Sequence, residues 1–234
     1  MPFRFKQFVV DDAACPMKVG TDSVLLGAWA KLENSLSILD IGTGCGLLAL
    51  MAAQRSEALI TAIDIDPVAN GSAAANFRIS PWAGRLTARC IRVQDFQNET
   101  EAGNFDHIIS NPPFFINSLK APDPERSNAR HNDLLPIEDL VKAVVKLLSP
   151  EGRFSLILPV QESIVFTDLA NVAGLFLVSV ITVIPKTGKE ANRMLLEFGM
   201  QQMNVETSAL TIRDASGEFT TEYKKLTRDF YLNF

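Results

Sequence analysis

The sequence predicts an α/β fold in which helices cover both faces of a mainly parallel, seven-stranded sheet. Three observations predict it. Short apolar runs alternate with longer helix-compatible stretches from Leu36 onward, the runs are rich in aliphatic residues, and a glycine-rich turn follows the first run. Parallel strands buried on both faces have such continuous apolar sequences, and the alternation with helices is typical of their crossover connections.

The predicted elements belong to one domain, residues 1–234. The apolar runs predicted as strands are 36–41, 59–65, 89–93, 107–109, 154–158, 175–184 and 194–201. Helices are predicted at 47–55, 67–79, 137–148 and 163–173. We divide the domain into an N-terminal segment, 1–34, a core sheet, 35–203, and a C-terminal extension with basic and aromatic residues, 204–234.

Composition and charge exclude several classes of protein. The apolar runs are shorter than the roughly 20 residues that a membrane span needs, and the N-terminus lacks the apolar stretch of a signal peptide. Three widely spaced cysteines and two histidines predict neither a disulfide framework nor a metal site. The net charge of −5 requires any nucleic-acid contact to come from local patches. We expect a cytoplasmic protein without membrane span or metal.

A glycine-rich turn, Gly42-Thr43-Gly44-Cys45-Gly46, joins the first core strand to a helix that starts near Leu47. Glycines allow a tight turn and let a ligand approach the main chain at the helix N-terminus. The nicotinamide dinucleotide fingerprint has its third glycine three residues after the second. Here Leu47 holds that place and Gly46 comes one residue early, which disfavours a dehydrogenase.

Two acidic residues flank this turn. Asp64 ends the next strand, 22 residues after Gly42, where a carboxylate can accept hydrogen bonds from both hydroxyls of a ribose. Asp40 lies in the strand before the glycines and can face the ligand from below. The pattern indicates a nucleoside site, and its alternative is a plain strand-to-helix turn.

The strand at 107–110 ends in Asn111-Pro112-Pro113-Phe114. Successive prolines stop the strand and fix the backbone, so the Asn111 side-chain carbonyl and the Pro112 main-chain carbonyl can accept both hydrogens of an NH2 group. Such a site turns the nitrogen lone pair toward an electrophilic methyl, through positioning and electrostatics. Phe114 offers a flat face for a planar base. The alternative is a proline-rich strand terminator.

These motifs together resemble the amino-methyltransferase branch of the Rossmann-like class I methyltransferases, which modify adenine N6, cytosine N4 or glutamine N5. Segments 3–8, 17–29 and 223–231 are further similar to the bacterial valine-tRNA adenosine-37 N6-methyltransferase family. The resemblance covers essentially the whole chain.

The resemblance implies S-adenosyl-L-methionine as cofactor. It implies cofactor contacts from Lys18, Gly20, Thr21, Asp40, Gly42, Gly44, Gly46, Asp64, Ile65, Asp95, Phe96 and Asn111, and a catalytic role for Asn111, Pro112, Pro113 and Phe114. In that family the segment from Lys18 to Ser23 helps to close the cofactor pocket, although Thr21 or Asp22 could instead cap the helix that follows. Asp95 is implied to accept the adenine amino hydrogen, with Phe96 beside the ring, and the alternative for Asp95 is an ordinary exposed loop acid.

The implied partner is the anticodon loop of tRNA, where the target base can be unstacked and inserted into a pocket. Three basic groups are candidates to hold its phosphates: Lys120, Arg126 and Arg130; Lys186, Lys189 and Arg193; Lys224, Lys225 and Arg228. Each could equally be an ordinary solvated surface. The alternatives are glutamine methylation of a release factor, methylation of other RNA or DNA, and a binding module without turnover. Release-factor methyltransferases usually carry a separate N-terminal helical domain, for which the roughly 35 residues before the first strand leave no room. We expect a monomer.

Overall fold

The computed structural model describes residues 2–15, 17–113 and 135–234. Its strands are β1 (Phe3–Arg4), β2 (Val9–Val10), β3 (Ser37–Ile41), β4 (Leu59–Asp64), β5 (Leu86–Cys90), β6 (Phe105–Ser110), β7 (Leu148–Pro159), β8 (Phe176–Lys186), β9 (Arg193–Gly199) and β10 (Glu206–Arg213). Its α-helices are α1 (Thr21–Trp29), α2 (Leu47–Arg55), α3 (Pro67–Ile79), α4 (Val93–Glu99), α5 (Ile137–Leu147), α6 (Val160–Val172) and α7 (Thr221–Thr227), with a short 3-10 helix at Ala83–Arg85.

One large sheet has the strand order β10-β8-β9-β7-β6-β3-β4-β5. Strand β9 is antiparallel to both of its neighbours, and all other neighbouring pairs are parallel. The prediction of a mainly parallel sheet is therefore confirmed. A separate two-stranded antiparallel sheet consists of β1 and β2 near the N-terminus.

The predicted count of seven strands is wrong, because β10 adds an eighth strand inside the segment assigned to the C-terminal extension. This strand pairs in parallel with β8, from Glu206 beside Ser179 to Arg213 beside Lys186. Its residues are mostly exposed. An edge strand buries little surface, so it carries no continuous apolar run that a sequence pattern could reveal.

The strand predicted at 89–93 is also displaced. Strand β5 ends at Cys90, and Val93 begins helix α4. The buried residues Val93, Phe96 and Gln97 follow helical spacing. By contrast, the helices predicted at 47–55 and 67–79 have the predicted bounds.

Helices cover both faces of the sheet and bury two apolar cores. The first core contains residues of α1, α2, α3 and α7, for example Leu25, Leu50 and Phe77. The second contains residues of α4, α5 and α6, for example Leu140 and Phe166. None of the helices in these described ranges is long and apolar enough to span a bilayer. The carboxyl ends of β3, β4 and β6 meet at one edge of the sheet, which we call the catalytic edge for the site described below.

Candidate active site

The turn between β3 and α2 has left-handed backbone angles at three glycines: φ is 73° at Gly42, 57° at Gly44 and 84° at Gly46. A Cβ atom at Gly46 would lie 2.5 Å from a ring carbon of Phe77, whereas one at Gly42 or Gly44 would have no other atom within 4 Å. Gly46 thus lets α3 pack against the turn. Gly42 and Gly44 instead leave open space above the main chain, which suits the close approach of a ligand.

Asp64, at the end of β4, is bonded to this turn. Its Oδ2 accepts a hydrogen bond from the Gly44 N–H at 2.8 Å, and its Oδ1 accepts one from the Asp66 N–H at 2.9 Å. A carboxylate oxygen can accept more than one hydrogen bond, so both oxygens keep capacity for ligand hydroxyls. The two main-chain bonds therefore orient the carboxylate and leave each oxygen able to accept a further hydrogen bond.

Asp40 lies beneath the turn and is fully buried. Its Oδ2 accepts hydrogen bonds from Thr43 Oγ1 at 2.6 Å and from the Ala49 N–H at 3.2 Å, while its Oδ1 has no hydrogen-bond partner among the described residues. Burial raises the pKa of Asp40 to about 7, against the opposing effect of these two donors. Its observed contacts hold the turn and the start of α2.

A cavity of about 540 Å³ opens between the turn and the ends of β4, β5 and β6. Residues along its wall are Cys15, Met17, Ile41, Gly42, Gly44, Ile63, Asp64, Ile65, Asp66, Pro67, Ala69, Ile91, Arg92, Val93, Gln94, Asn111, Pro112, Pro113 and Leu135. The mostly apolar wall with a few polar groups is typical of a small-molecule site. The structure brings the predicted residues Gly42, Gly44, Asp64, Ile65, Asn111, Pro112 and Pro113 together here.

Asn111 follows β6 and is held by helix α1. Its Nδ2 donates a hydrogen bond to Ser23 Oγ at 2.8 Å. The neighbouring Asp22 accepts a hydrogen bond from Arg193 Nε at 2.7 Å, which joins the start of α1 to β9. The contact of Ser23 with Asn111 was not predicted from the sequence, because no spacing rule connects residues that are 88 positions apart. Phe114 lies outside the described residues.

The N-terminal segment reaches the cavity through residues other than the predicted ones. Cys15 and Met17 are part of the wall, but Lys18, Gly20 and Thr21 are not. The Lys18 ammonium donates hydrogen bonds to the main-chain carbonyls of Asp12 and Ala13, at 2.5 and 2.8 Å. These two bonds fold the N-terminal segment back on itself, with Cys15 and Met17 in the cavity wall.

The alternative that Thr21 or Asp22 caps helix α1 is wrong. The N-cap position is Gly20, and no side chain caps the helix there. Thr21 is exposed. The helix starts at Thr21, one residue too early for Thr21 to be the N-cap and two residues too early for Asp22. Asp22 instead forms the ion pair with Arg193.

Asp95 and Phe96 lie in the first half of α4, not at a strand end. Asp95 is exposed, and Phe96 is buried with its ring centroid 6.1 Å from that of Phe105. Neither residue is in the cavity wall, where Val93 and Gln94 are found instead. Because the helix starts at Val93, the Phe96 side chain points into the second core.

Asn76, in α3, is a further residue that sequence reasoning missed. It is buried, and its Nδ2 donates to the carbonyls of Cys45 at 2.8 Å and Asp11 at 3.0 Å, while its Oδ1 accepts from the Asp11 N–H at 2.9 Å. One amide therefore ties the N-terminal segment to the glycine turn. The signal was a polar residue on the buried face of α3, alongside Ala69, Ala73 and Phe77.

Sequence relatives match the chain over its full length. It is 45% identical to the tRNA1(Val) (adenine(37)-N6)-methyltransferase of Bacteroides fragilis, across 98% of this chain and 97% of that protein. It is 44% identical to the protein of the same name from Shewanella baltica, across 100% of both.

Solved structures have the same fold. A protein from Agrobacterium tumefaciens that is described as a predicted O-methyltransferase superimposes with a TM-score of 0.68 at 19% identity, covering 89% of this chain and 96% of that one. The ribosomal protein L11 methylase of Lactobacillus delbrueckii gives a TM-score of 0.59 at 14% identity, with 82% and 84% covered. These likenesses confirm the Rossmann-like class I methyltransferase fold.

Residues 17–161 match the family model described as the methyltransferase small domain, which includes the glycine turn, Asp64 and Asn111. The family model and the full-length relatives agree, and both predict the same reaction class as the cavity motifs. The chain therefore belongs to the methyltransferase small domain family, and within it to the group of relatives named tRNA1(Val) (adenine(37)-N6)-methyltransferases.

Proposed function

We propose that this protein transfers a methyl group from S-adenosyl-L-methionine to the exocyclic N6 amine of an adenosine in tRNA, at position 37 in the anticodon loop of valine tRNA. One observation carries the proposal: Asn111, Pro112 and Pro113 lie in the wall of the same cavity as the glycine turn and Asp64. The residues proposed to bind an amine and those proposed to bind a nucleoside thus line one cavity. The names of the relatives supply the acceptor.

The residues of the cavity fit the proposed cofactor. The space above Gly42 and Gly44 would take its amino-acid part, and the Asp64 carboxylate, already oriented by two main-chain donors, would accept from the ribose hydroxyls. Ile65 and Ile91 provide apolar walls for a purine. We keep Asp95 as the proposed acceptor for the adenine amino group, which would require its exposed side chain to turn toward the cavity.

The chain contributes positioning and electrostatics to the reaction. When bound, the cofactor supplies an electrophilic methyl group on a positively charged sulfur. The Asn111 Oδ1 and the Pro112 carbonyl would accept the two hydrogens of the acceptor amine and turn its lone pair toward that methyl group. The methyl group would pass to this nitrogen, the bonding electrons would stay with the sulfur, and the nitrogen would then lose a proton. Two preoriented acceptors favour the positive charge that develops on the nitrogen.

Glutamine methylation uses the same geometry at the amine, so Asn111 and the prolines do not separate the two acceptors. The full-length match to relatives named for tRNA favours the adenosine. Cytoplasmic location and a monomeric state stay predictions.

The test is incubation of the purified protein with tritiated S-adenosyl-L-methionine and, separately, with unmodified tRNA or a release-factor protein. Labelled RNA is digested to nucleosides. We expect the label in N6-methyladenosine from valine tRNA. Label in the release factor alone would replace the proposal with glutamine methylation, and label in another nucleoside would overturn the assigned acceptor atom.

A further inference from the structure

We infer that Lys186, Lys189 and Arg213 form a phosphate-binding surface that holds the RNA backbone several nucleotides away from the inserted adenosine. We call these three residues the cationic rim. The inference rests on the proposed RNA acceptor and adds the surface that grips it. Phosphate contacts of this kind position a nucleic acid without reading its sequence.

The strand directions place the cationic rim at the catalytic edge of the sheet. Strand β7 is parallel to β6, so its last residue, Pro159, lies at the edge where β6 leads into Asn111. Pro159 pairs with Arg193, the first residue of the antiparallel strand β9. The turn that precedes Arg193 therefore projects from this edge and carries Lys189. Lys186 ends β8 and pairs with Arg213 at the end of β10.

The distance from the reaction site suits a flanking stretch of RNA. Strands β7 and β9 separate β8 from β6, and β10 lies one strand further. At about 4.8 Å per strand, β8 and β10 lie about 14 and 19 Å to the side of β6. The pairing makes Val180 level with Ser110, so Lys186 and Arg213 also lie about 20 Å further along the strands, at about 3.3 Å per residue. The combined separation is about 25 to 28 Å. A base inserted at Asn111 would therefore place phosphates several nucleotides away within reach of the rim.

The three rim cations carry no ion pair with a carboxylate in the described part of the chain, whereas six other basic residues do. Those six are Lys31, Arg55, Arg85, Arg89, Arg193 and Arg228. The neighbouring acid Asp214 uses one oxygen, Oδ1, within its own turn, where it accepts from Ser216 Oγ and from the Gly217 and Glu218 N–H groups. Asp214 and the exposed Glu190 and Glu218 reduce the net charge of this surface, but none of the three forms an ion pair with a rim cation in the described part of the chain.

The Arg213 guanidinium is fixed by a ring contact and a hydrogen bond. Its guanidinium carbon lies 3.8 Å from the ring centroid of Phe219, and its Nη1 donates to the Gly217 carbonyl at 2.7 Å. The Thr187 N–H donates to the Arg213 carbonyl at 2.9 Å, which joins the β8–β9 turn to the end of β10. A stacked guanidinium with free N–H groups is well suited to phosphate.

The second described basic group, on α7, extends away from the catalytic edge. Helix α7 starts near that edge, where the Thr220 N–H bonds to the Ile212 carbonyl. Beyond its other end, the Asp229 carbonyl accepts from Gln54, close to the far end of α2. Since α2 starts at the glycine turn and crosses the sheet, Arg228 lies toward the opposite edge. The third group, Lys120, Arg126 and Arg130, lies outside the described residues.

The test compares wild type with two variants. The double variant is Lys186→Ala/Lys189→Ala, and the triple variant adds Arg213→Ala. Affinity for tRNA is measured by fluorescence anisotropy over a range of salt concentrations, separately from turnover. We expect at least about tenfold weaker binding and a salt slope reduced by about 0.7 per lost phosphate contact in a single strand. The rate at saturating tRNA, the cofactor affinity and the melting temperature should stay near wild type for the double variant, which leaves the Arg213 stack intact.

Lys142→Ala is the matched control. Lys142 is exposed on α5, a helix that covers the second core and not the end of the sheet that carries the rim. Unchanged tRNA affinity and salt slope in both rim variants would overturn the inference, as would an equal loss in the control. We also measure the double variant Lys224→Ala/Lys225→Ala. If tRNA affinity falls in this variant and not in the rim variants, the phosphate-binding surface lies on α7 instead. If wild type binds tRNA through the rim but methylates no RNA, the proposed function fails and the binding surface stands.

Discussion

The amide of Asn111 donates a hydrogen bond to the hydroxyl of Ser23 at 2.8 Å, joining the acceptor motif after β6 to the first turn of α1. With Nδ2 engaged in this way, Oδ1 is left to accept from a substrate amine. The Asp22–Arg193 ion pair keeps the same helical turn against β9. We therefore propose that Ser23 positions Asn111, and its contribution should appear in the rate of methyl transfer.

Ser23→Ala should lower the single-turnover rate about threefold to tenfold, the equivalent of one hydrogen bond of about 0.5 to 1.5 kcal/mol. Ser23→Thr keeps the hydroxyl and should stay near wild type. Asn111→Ala should lower the rate at least about a hundredfold, because it removes an acceptor aimed at the reacting amine. Calorimetry should show nearly unchanged cofactor affinity in all three variants.

Thr167→Val is the control for Ser23, because it deletes a helix hydroxyl whose hydrogen bond among the described residues, to the Ser163 carbonyl, lies within α6. An equal rate loss in Thr167→Val, or none in Ser23→Ala, would remove the positioning role. Near-normal turnover in Asn111→Ala would refute the mechanism itself.

Asp64→Ala should weaken cofactor binding by at least about tenfold, since charge-assisted hydrogen bonds contribute about 1.5 to 3 kcal/mol each. The same change removes the acceptor for the Gly44 and Asp66 N–H groups, so the turn also loses its support. Calorimetry with S-adenosyl-L-methionine checks the affinity, and a melting curve without ligand reports the turn. Wild-type affinity in this variant would exclude Asp64 from the ribose.

Asn76→Ala should lower the free energy of unfolding by about 1 to 3 kcal/mol, because it leaves the buried Cys45 carbonyl and the partly buried main-chain groups of Asp11 without partners. Cofactor affinity should fall as well, since the Asn76 amide no longer joins the N-terminal segment to the glycine turn. Urea unfolding and calorimetry measure the two effects. Asn171→Ala, at an exposed position of α6, is the control and should change neither.

Gly46→Ala should lower the free energy of unfolding by about 2 to 5 kcal/mol. Left-handed backbone costs a residue with a Cβ about 1 to 2 kcal/mol, and overpacking against Phe77 adds about 1 to 3 kcal/mol. Gly174→Ala separates the two contributions, because Gly174 has the same φ of 84° with no atom within 4 Å of the added Cβ. Equal losses in the two variants would show that the Phe77 contact contributes nothing.

The raised pKa of Asp40 predicts a pH dependence of stability. Between about 3.8, the ordinary carboxyl value, and about 7, the folded protein holds a proton that the unfolded chain has released. Stability therefore falls as the pH rises through this window. Asp40→Asn cannot ionise and keeps an acceptor for Thr43, so its stability relative to wild type should increase from pH about 5 to pH about 8. Parallel urea-unfolding profiles for the two proteins would contradict the prediction.

The sequence by itself determined the features that depend on local chain chemistry. The glycine turn, Asp64 and the Asn111-Pro112-Pro113 strand end lie in one cavity, as their positions at the carboxyl ends of parallel strands required. Helices α2 and α3 were predicted with their observed bounds, because both segments have helical composition and Pro67 marks the start of α3.

Only the tertiary structure decided which distant groups meet. Ser23 reaches Asn111 across 88 residues and Asn76 reaches Asp11 across 65, and no local propensity specifies such partners. Strand β10 escaped prediction because an exposed edge strand needs no apolar run. The tertiary structure also decided that Lys186 and Arg213 lie at the catalytic edge, because strand direction and neighbour order follow from packing the whole sheet rather than from any one segment.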